Sequence, residues 1–399
     1  MYDLILRDAT LLSSKGRLVA DVAIEGGRIA YVGPRPPRNR TRNEISAIGK
    51  FLMPGVIDTA VQFDPNGDPA LWERESRAAV TGGVTTIVAL PDGEKPVLDI
   101  ETAEHRVSRA RGRSWTHFAL WGCAAEGTTD DLQAAIAARR IVGALARLGD
   151  EPFATDELIA LLALEGVFGL RLTYTDRLGP SIGEVVAAAR ESDKHVHLVH
   201  LSTAEELNVL DPVRGQAPVT AGVTPHHLFL SEDTTQTPIK TVPPVRPEMD
   251  RRTLWTAMKR GRLDCVASDH HPSHAGDGTG VPGTELLFPL MLSAVKYGRL
   301  SLEMLVSMCS EAPARIFGLE RKGRIERGAD ADLVLFSEGE LTKVDDDLLL
   351  SSAGWSPYKE RETAPKPDMV IVGGEIVARS GGLVAERPNG QHVLDDLEN

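Results

Sequence analysis

Cysteine is scarce and long apolar runs are missing in this chain of 399 residues. Its three cysteines are far apart and match no metal or redox spacing, so no disulfide framework is predicted: Cys123, Cys265 and Cys309. No apolar run approaches the roughly 18 residues that a membrane helix needs. The first residues, M-Y-D-L-I-L-R-D, lack the basic start and apolar middle of a signal peptide. We therefore expect a cytoplasmic protein.

Basic residues are fewer than acidic ones: 44 Lys and Arg against 57 Asp and Glu give a formal net charge of −13. Nucleic acids and anionic membranes both require a basic protein face, so neither is expected as a partner. The chain is 42% hydrophobic and 25% charged, which is typical of a globular protein with a large core. Its length fits one barrel-sized domain and one smaller domain.

Short alternating segments near both ends of the chain are typical of antiparallel β-structure. Near the N-terminus they are Leu4–Arg7, Val22–Glu25 and Arg28–Val32. Near the other end they are Gly323–Phe336 and Met369–Val377. Because unpaired edge strands are a liability, the two ends predict one β-sandwich domain built from residues 1–52 and 322–385.

The middle of the chain, residues 53–321, alternates short β-branched runs with longer helical stretches. This pattern predicts a parallel sheet closed by crossover helices, a (β/α)8 TIM barrel. The eight predicted strands are Val56–Phe63, Thr85–Leu90, Thr116–Trp121, Ile141–Leu148, Val167–Thr173, His195–Leu201, Val219–Thr224 and Asp264–Ser268. Residues 386–399 are polar and predict a tail.

The first barrel strand carries the motif M-P-G-V-I-D-T-A-V-Q-F-D-P-N-G, from Met53 to Gly67. It resembles the first strand of dihydroorotase, in the cyclic-amidase branch of the amidohydrolase superfamily, where the pattern is P-G-x-I-D-x-H-x-H-x-R-x-P-G. The two histidine positions are Ala60 and Gln62 here, and the arginine position is Asp64. The resemblance continues through H-L-V-H-L-S-T, V-T-P-H-H-L-F-L, A-S-D-H-H-P and G-A-D-A-D-L-V, so it spans nearly the whole chain.

The resemblance implies a divalent metal, usually zinc, at the C-terminal ends of the strands. Such a metal lowers the pKa of a bound water so that hydroxide attacks an amide carbonyl. Besides the lost ligands Ala60 and Gln62, the fourth strand reads V-G-A-L-A-R-L-G-D, with Leu148 and Gly149 at the expected ligand position and Asp150 just beyond. The fifth strand has no histidine near Leu172.

Two ligand positions match the family. They are His200 on the sixth strand and Asp269 after the eighth, where active relatives also use the aspartate as general base. One imidazole and one carboxylate make a poor zinc site, since three or more protein ligands are usual. We therefore expect His200 and Asp269 to be hydrogen-bonded remnants without a metal, Asp269 being a vestigial general base, and we expect no cofactor.

The substrate positions implied by the resemblance have changed as well. Asp64 replaces the arginine and Asp92 replaces an asparagine that together bind the substrate carboxylate. Two carboxylates within about 4 Å of that anion would disfavour its binding by on the order of a kcal/mol or more per contact. Val242 replaces a further asparagine and Ser273 a histidine.

The remaining histidines leave open a rearranged mononuclear site, which would hold zinc. The clusters are His195, His197 and His200, then His226 and His227, then His270, His271 and His274. Against this alternative, His195 and His197 share one face of a strand whereas His200 lies on the other.

Three functions follow from these observations. The first is a non-catalytic dihydroorotase-like protein of pyrimidine biosynthesis that acts as a structural partner of aspartate carbamoyltransferase, as the resemblance to inactive dihydroorotase-like chains implies. The second is an amidohydrolase with an altered mononuclear metal site and a changed, cationic cyclic amide substrate that Asp64 and Asp92 would attract. The third is a small-ligand binding protein that uses the barrel mouth. A homo-oligomer or hetero-oligomer is expected in each case.

Overall fold

The computed structural model describes residues 1–36, 41–65, 67–125, 127–148, 161–172, 179–213, 215, 218–233, 239–276 and 278–395. Two large sheets organise it. One has nine strands and draws on both ends of the chain, and the other has eight parallel strands from the middle. The predicted fold class, a (β/α)8 barrel with a β-rich domain from both termini, is confirmed.

Strands from the two ends of the chain meet in the nine-stranded sheet. Leu333, from the C-terminal part of the chain, lies opposite Pro54, from the N-terminal part, in an antiparallel pair of strands that joins the two halves of the sheet. The N-terminal strands are β1 (Tyr2–Ser13), β2 (Gly16–Glu25), β3 (Arg28–Gly33), β4 (Thr41–Ser46) and β5 (Phe51–Pro54). The C-terminal strands are β14 (Leu333–Phe336), β17 (Met369–Val372), β18 (Glu375–Arg379) and β19 (Gly382–Leu383), while β15 (Thr342–Lys343) and β16 (Glu362–Thr363) form a separate ribbon.

The barrel strands follow one another in sequence order around the eight-stranded sheet. They are β6 (Val56–Val61), β7 (Val84–Ala89), β8 (His117–Cys123), β9 (Gly143–Leu148), β10 (Val167–Leu172), β11 (Val196–Leu198), β12 (Val219–Val223) and β13 (Cys265–Val266). All six side chains of β7 are buried, because a parallel strand has helices on one side and the barrel interior on the other.

The last strand region returns to the first and closes the barrel. The backbone N–H of Gln62 donates to the carbonyl of His270 at 2.8 Å, and Val61 forms a parallel bridge with His270. Lower in the barrel, Oδ1 of Asp58 accepts the Ser268 N–H at 2.8 Å. The Asp58 carboxyl is fully buried, and this burial raises its pKa.

Several helices begin where a short polar side chain caps free backbone N–H groups. Asp68 accepts from the N–H of Ala70 ahead of Pro69, and Thr203 forms a capping box with Glu206. The helices are α1 (Pro69–Thr81), α2 (Ile100–Ala110), α3 (Thr129–Ala137), α4 (Gly179–Ser192), α5 (Ala204–Leu210), α6 (Pro225–Phe229), α7 (Glu248–Lys259), α8 (Leu287–Lys296), α9 (Leu302–Val306) and α10 (Ala312–Ile316). Within the described ranges, none of them is long and apolar enough to cross a membrane.

Aromatic side chains fill the barrel interior. Trp121 of β8 packs edge-on against Phe317, with ring centroids 5.1 Å apart, and its indole N–H donates to the carbonyl of Thr59. The Trp121 side chain is fully buried. The barrel therefore has a packed core below its mouth, as expected of this fold.

Residues 386–395 do not form the polar tail that the sequence predicts. The N–H of Phe118 donates to the carbonyl of Gln391, and the N–H of Val393 donates back to the carbonyl of Phe118, both at 2.9 Å. His392 is buried and its ring lies 5.5 Å from that of Phe118. This segment, residues 386–395, is called the C-terminal strap below. It pairs with β8 at Phe118, ahead of Trp121, which is the first β8 residue that pairs with β9.

Candidate functional site

A cavity of about 400 Å³ opens at the C-terminal ends of the barrel strands. This is the end at which enzymes of this fold place their reactive groups. The cavity, called the mouth below, is lined by Gln62, Leu90, Asp92, Gly93, Arg147, Val242, Asp269, His270, His271, Thr279 and Gly280.

The end of the first barrel strand offers the mouth no imidazole. Ala60 is fully buried in the apolar interior, where its methyl group packs in the same cluster as Ile57 and Trp121. Gln62 reaches the mouth, and its backbone takes part in barrel closure. Of these two positions Gln62 lines the mouth and Ala60 does not, and neither side chain is a usual zinc ligand.

His200 is fully buried beside Asp269, which lines the mouth. Nε2 of His200 is 3.3 Å from Oδ1 of Asp269, and both side chains are buried. Asp269 has a φ of 52°, in the left-handed region that a non-glycine residue seldom adopts. Neither ring nitrogen of His200 makes a hydrogen bond of good geometry to the described residues. The backbone conformation of Asp269 therefore places its carboxylate beside the imidazole of His200.

The sixth and seventh strands use their other histidines structurally. Nδ1 of His197 lies 2.9 Å from Oγ1 of Thr220, and burial lowers the His197 pKa to about 3. Nε2 of His195 contacts the same hydroxyl, so these two side chains share a face, as the strand spacing predicts. His227 lies between the Thr224 hydroxyl and the Pro244 carbonyl, and its pKa is also lowered to about 3 by burial.

The eighth-strand histidines have partners of their own. Nδ1 of His270 accepts the N–H of Gly283, so its Nε2 carries the proton and faces Glu75, 3.1 Å away. His271 contacts the Ser273 hydroxyl at 2.6 Å, and His274 the Ala353 carbonyl at 3.1 Å. The two ring nitrogens of His270 are therefore directed at Gly283 and Glu75.

Glu75, on α1, holds His270 in place from outside the mouth. Its carboxylate is fully buried and also accepts from the Ser351 hydroxyl and the Ser352 N–H, at 2.7 and 2.8 Å. Burial raises the Glu75 pKa, but the hydrogen bonds from His270 and the two serines outweigh it, so the pKa is lowered. The pair is a structural contact between α1 and the eighth strand.

Asp64 lies away from the mouth, in contrast to the expectation that it would face a substrate. Its oxygens are 3.2 Å from Nη1 of Arg106 and 3.0 Å from Nη2 of Arg109, and the carboxyl is fully buried. Burial raises the Asp64 pKa, and the two guanidinium groups oppose this effect. Arg106 and Arg109 are three residues apart on α2 and so share a face, a spacing that could have indicated a buried acidic partner.

Asp92 does face the mouth, but it is paired. It forms a salt bridge with Nη2 of Arg147 from β9. Partial burial lowers the Arg147 pKa, whereas the hydrogen bond to Asp92 and the charges of Asp92 and Asp269 raise it, and the net shift is upward. Sequence reasoning missed Arg147, because the resemblance directs attention to the next residue, Leu148.

The remaining substrate positions separate in space. Val242 lines the mouth with an apolar side chain. Ser273 contacts His271, and its carbonyl accepts the indole N–H of Trp355 at 2.8 Å. Val242 and Ser273 therefore provide no carboxylate-binding group in the mouth.

The ends of the fourth and fifth strands are adjacent, with Leu148 opposite Leu172 in the parallel register. Gly149 and Asp150 lie outside the described residues. Among the described residues, no three or more His, Cys, Asp or Glu side chains are grouped so as to hold a metal ion. At the mouth, His270 and His271 have partners of their own and Asp92 is paired with Arg147. Among the described residues this leaves His200 and Asp269 as the matched ligand positions, and one imidazole with one carboxylate does not fit the zinc centre that the family implies.

Comparisons with known proteins agree with this fold. The sequence profile of the amidohydrolase family matches residues 156–377. An allantoinase from Rubrobacter xylanophilus is 31% identical, covering 100% of this chain and 98% of the relative. A dihydroorotase from Pyrococcus furiosus is 28% identical over 98% of this chain and 96% of its own length.

The fold also matches a solved structure of a cyclic amidase. L-Hydantoinase (dihydropyrimidinase) from Arthrobacter aurescens superimposes with a TM-score of 0.92 at 25% identity, covering 98% of this chain and 99% of the other. The resemblance read from the motifs is therefore confirmed at the level of the family. The chain belongs to the amidohydrolase family.

Proposed function

We propose that this chain is a non-catalytic member of its family and serves as a structural partner of aspartate carbamoyltransferase. The observation that carries the first part is the set of residues at and below the mouth: His200 and Asp269 match the expected ligand set, whereas Ala60 and Gln62 supply no imidazole. A hydrolytic mechanism of the family type needs a metal-activated water. Nothing in this donor set would hold that metal with the usual three protein ligands.

The substrate side of the mouth supports the same proposal. In place of a cationic group that would bind a carboxylate there is Asp64, which is buried against Arg106 and Arg109. Asp92, on the mouth wall, is paired with Arg147. Both carboxylates are therefore neutralised by arginines of this chain. The main argument for a cationic cyclic amide as substrate, attraction to Asp64 and Asp92, no longer applies.

The partner follows from the resemblance to inactive dihydroorotase-like chains, together with the similarity to proteins named dihydroorotase. A fold kept intact while its reactive groups are replaced is expected where the outer surface carries the function. In this role the barrel and the β-rich domain formed by both ends of the chain would provide a rigid surface to which the transferase binds.

Two assays test the two parts separately. The purified chain, supplied with zinc, is incubated with dihydroorotate, hydantoin and allantoin, and no turnover is expected. Turnover that disappears in His200→Ala or Asp269→Asn would contradict the non-catalytic assignment. In the second assay the chain is co-expressed with the aspartate carbamoyltransferase of the same organism and analysed by size-exclusion chromatography.

A shared peak and a higher transferase activity are expected from the co-expressed pair. The L-hydantoinase serves as the matched control, because it has the same fold and should not elute with the transferase. Separate elution at all protein concentrations, without turnover, would leave the chain non-catalytic but would refute the partner.

A further inference from the structure

A guanidinium group, that of Arg147, lies on the wall of the mouth. Arg147 is the fifth of the six residues of β9 and lines the same cavity as Asp92 and Asp269. Its side chain is 53% exposed, so the charge faces the open part of the mouth.

Arg147 links carboxylates that come from different strands. Asp92, which follows β7, is only 12% exposed and forms the salt bridge with Nη2 of Arg147. Asp269, which follows β13, is held near His200 on the same cavity and attracts the guanidinium electrostatically. Two carboxylates and one guanidinium therefore share the mouth.

We infer that Arg147 takes over the charge-balancing role of a metal ion at the mouth, and that its guanidinium opposes the binding of a divalent cation there. This inference rests on the proposed loss of catalysis and deepens it, because it gives a cause beyond missing ligands. A metal on His200 and Asp269 would lie in the cavity that a fixed positive charge already borders. Like charges at short range inside a protein repel strongly, and a divalent ion feels the repulsion twofold.

The consequence is that restoring the histidines is not sufficient for metal binding. In Ala60→His with Gln62→His, two imidazoles join His200 and Asp269, which gives enough donors for zinc. Arg147 would still be present and would weaken the site. Replacing it by glutamine keeps the approximate length of the side chain and removes the charge.

The experiment measures the zinc dissociation constant, by competition with a chromogenic chelator, in the Ala60→His/Gln62→His background. Three further variants in that background are compared: Arg147→Gln, Arg147→Lys and Arg42→Gln. Arg42 is the matched control, because it is an exposed arginine of β4 whose guanidinium lies 3.7 Å from Asp3, far from the mouth in the nine-stranded sheet. The visible spectrum with cobalt reports whether the ion binds the introduced imidazoles.

Arg147→Gln is expected to bind zinc about tenfold or more tightly than the background protein, as removal of a nearby like charge predicts. Arg147→Lys and Arg42→Gln are expected to stay near the background value. Equal affinity in the background and in Arg147→Gln would overturn the inference, as would an Arg147→Lys variant that binds as tightly as Arg147→Gln. Absence of zinc binding in all four proteins would overturn it as well, since the missing ligands would then be the whole cause.

A second measurement uses the natural mouth without any metal. Arg147→Gln should lower the thermal midpoint more than Arg147→Lys does, because Asp92 and Asp269 lose their counter-charge. If Arg147→Gln is instead as stable as the natural chain, the charge-balancing role is wrong. These outcomes are independent of the proposed function, which fails through turnover by the natural chain.

Discussion

Nε2 of His200 lies 3.3 Å from Oδ1 of Asp269 at the mouth of the barrel, and no third ligand side chain is grouped with them in the described part of the chain. In an active relative of the cyclic-amidase type these two positions would belong to a larger ligand set. Here the carboxylate contacts the imidazole itself. The pair therefore brings the sixth strand and the segment after the eighth into contact.

Restoring the first-strand histidines should not restore catalysis. In the variant Ala60→His with Gln62→His, the described ends of the fourth and fifth strands still carry Leu148 and Leu172, which cannot bind a metal, and the arginine position of the first strand is still Asp64. Dihydroorotate hydrolysis measured with excess zinc is expected to equal the rate without protein. A measurable rate that depends on Asp269 would mean that the mouth kept the rest of its machinery.

Asp64→Asn should destabilise the protein, because the Asp64 carboxylate is buried between two guanidinium groups. The substitution leaves the buried guanidinium groups of Arg106 and Arg109 without their counter-charge. Breaking a buried ion pair from one side costs about 3–5 kcal/mol. Urea unfolding followed by tryptophan fluorescence measures the change, with the exposed Glu326→Gln as the control that should be silent. A loss below about 1 kcal/mol would mean that the arginines find other acceptors.

The C-terminal strap should detach when Gly390 gains a side chain. A Cβ at this position would lie 1.9 Å from the carbonyl oxygen of Thr116 and 2.6 Å from that of Ser114, both of which are backbone atoms. Gly390→Ala should therefore cost about 1–3 kcal/mol, as overpacking does. Hydrogen exchange of the Phe118 and Val393 amides should accelerate. Gly382→Ala is the matched control, because its Cβ would meet only the Arg379 carbonyl at 3.5 Å; equal exchange in both variants would contradict the strap.

Acid should destabilise the fold through its buried neutral histidines. The pKa of His197 is about 3 in the folded chain, against an ordinary value of 6.5, because burial disfavours the charged ring. Between these values the unfolded chain binds the proton and the folded chain does not. The contribution of His197 is thus complete above pH 6.5 and is lost as the pH falls.

The size of this effect can be measured. From pH 7 to pH 5 the free energy of unfolding should fall by about 2 kcal/mol for this one group. His197→Gln should remove that part of the pH dependence, whereas the exposed variant Lys15→Gln should leave it in place. An unchanged slope in His197→Gln would show that His197 is protonated in the folded chain.

The sequence predicts the architecture well because the architecture rests on local patterns. Each of the eight predicted barrel strands contains an observed strand or overlaps it with nearly the same bounds, and β-strands from both ends share one sheet. Short β-branched runs between helices are sufficient to indicate such a barrel. The replacements at the two histidine positions could also be read directly, since Ala60 has no donor atom and Gln62 offers an amide in place of an imidazole.

Charge partners could not be predicted in the same way, because they depend on side chains from distant parts of the chain. Asp64 and Arg106 are 42 positions apart in sequence, and their contact needs the first strand and α2 to pack together. Arg147 likewise reaches Asp92 across β8. The strap was mistaken for a tail because a polar segment gives no apolar pattern, and its binding depends on a free stretch of β8 that only the assembled barrel reveals.

Metal content of the natural chain tests the central claim most directly. The protein is purified without chelator from cells grown with added zinc, and metal per chain is measured by inductively coupled plasma mass spectrometry. The non-catalytic account predicts a zinc content near zero. About one tightly held metal per chain, absent from His200→Ala and Asp269→Asn, would contradict it and would show that the mouth still holds a metal centre.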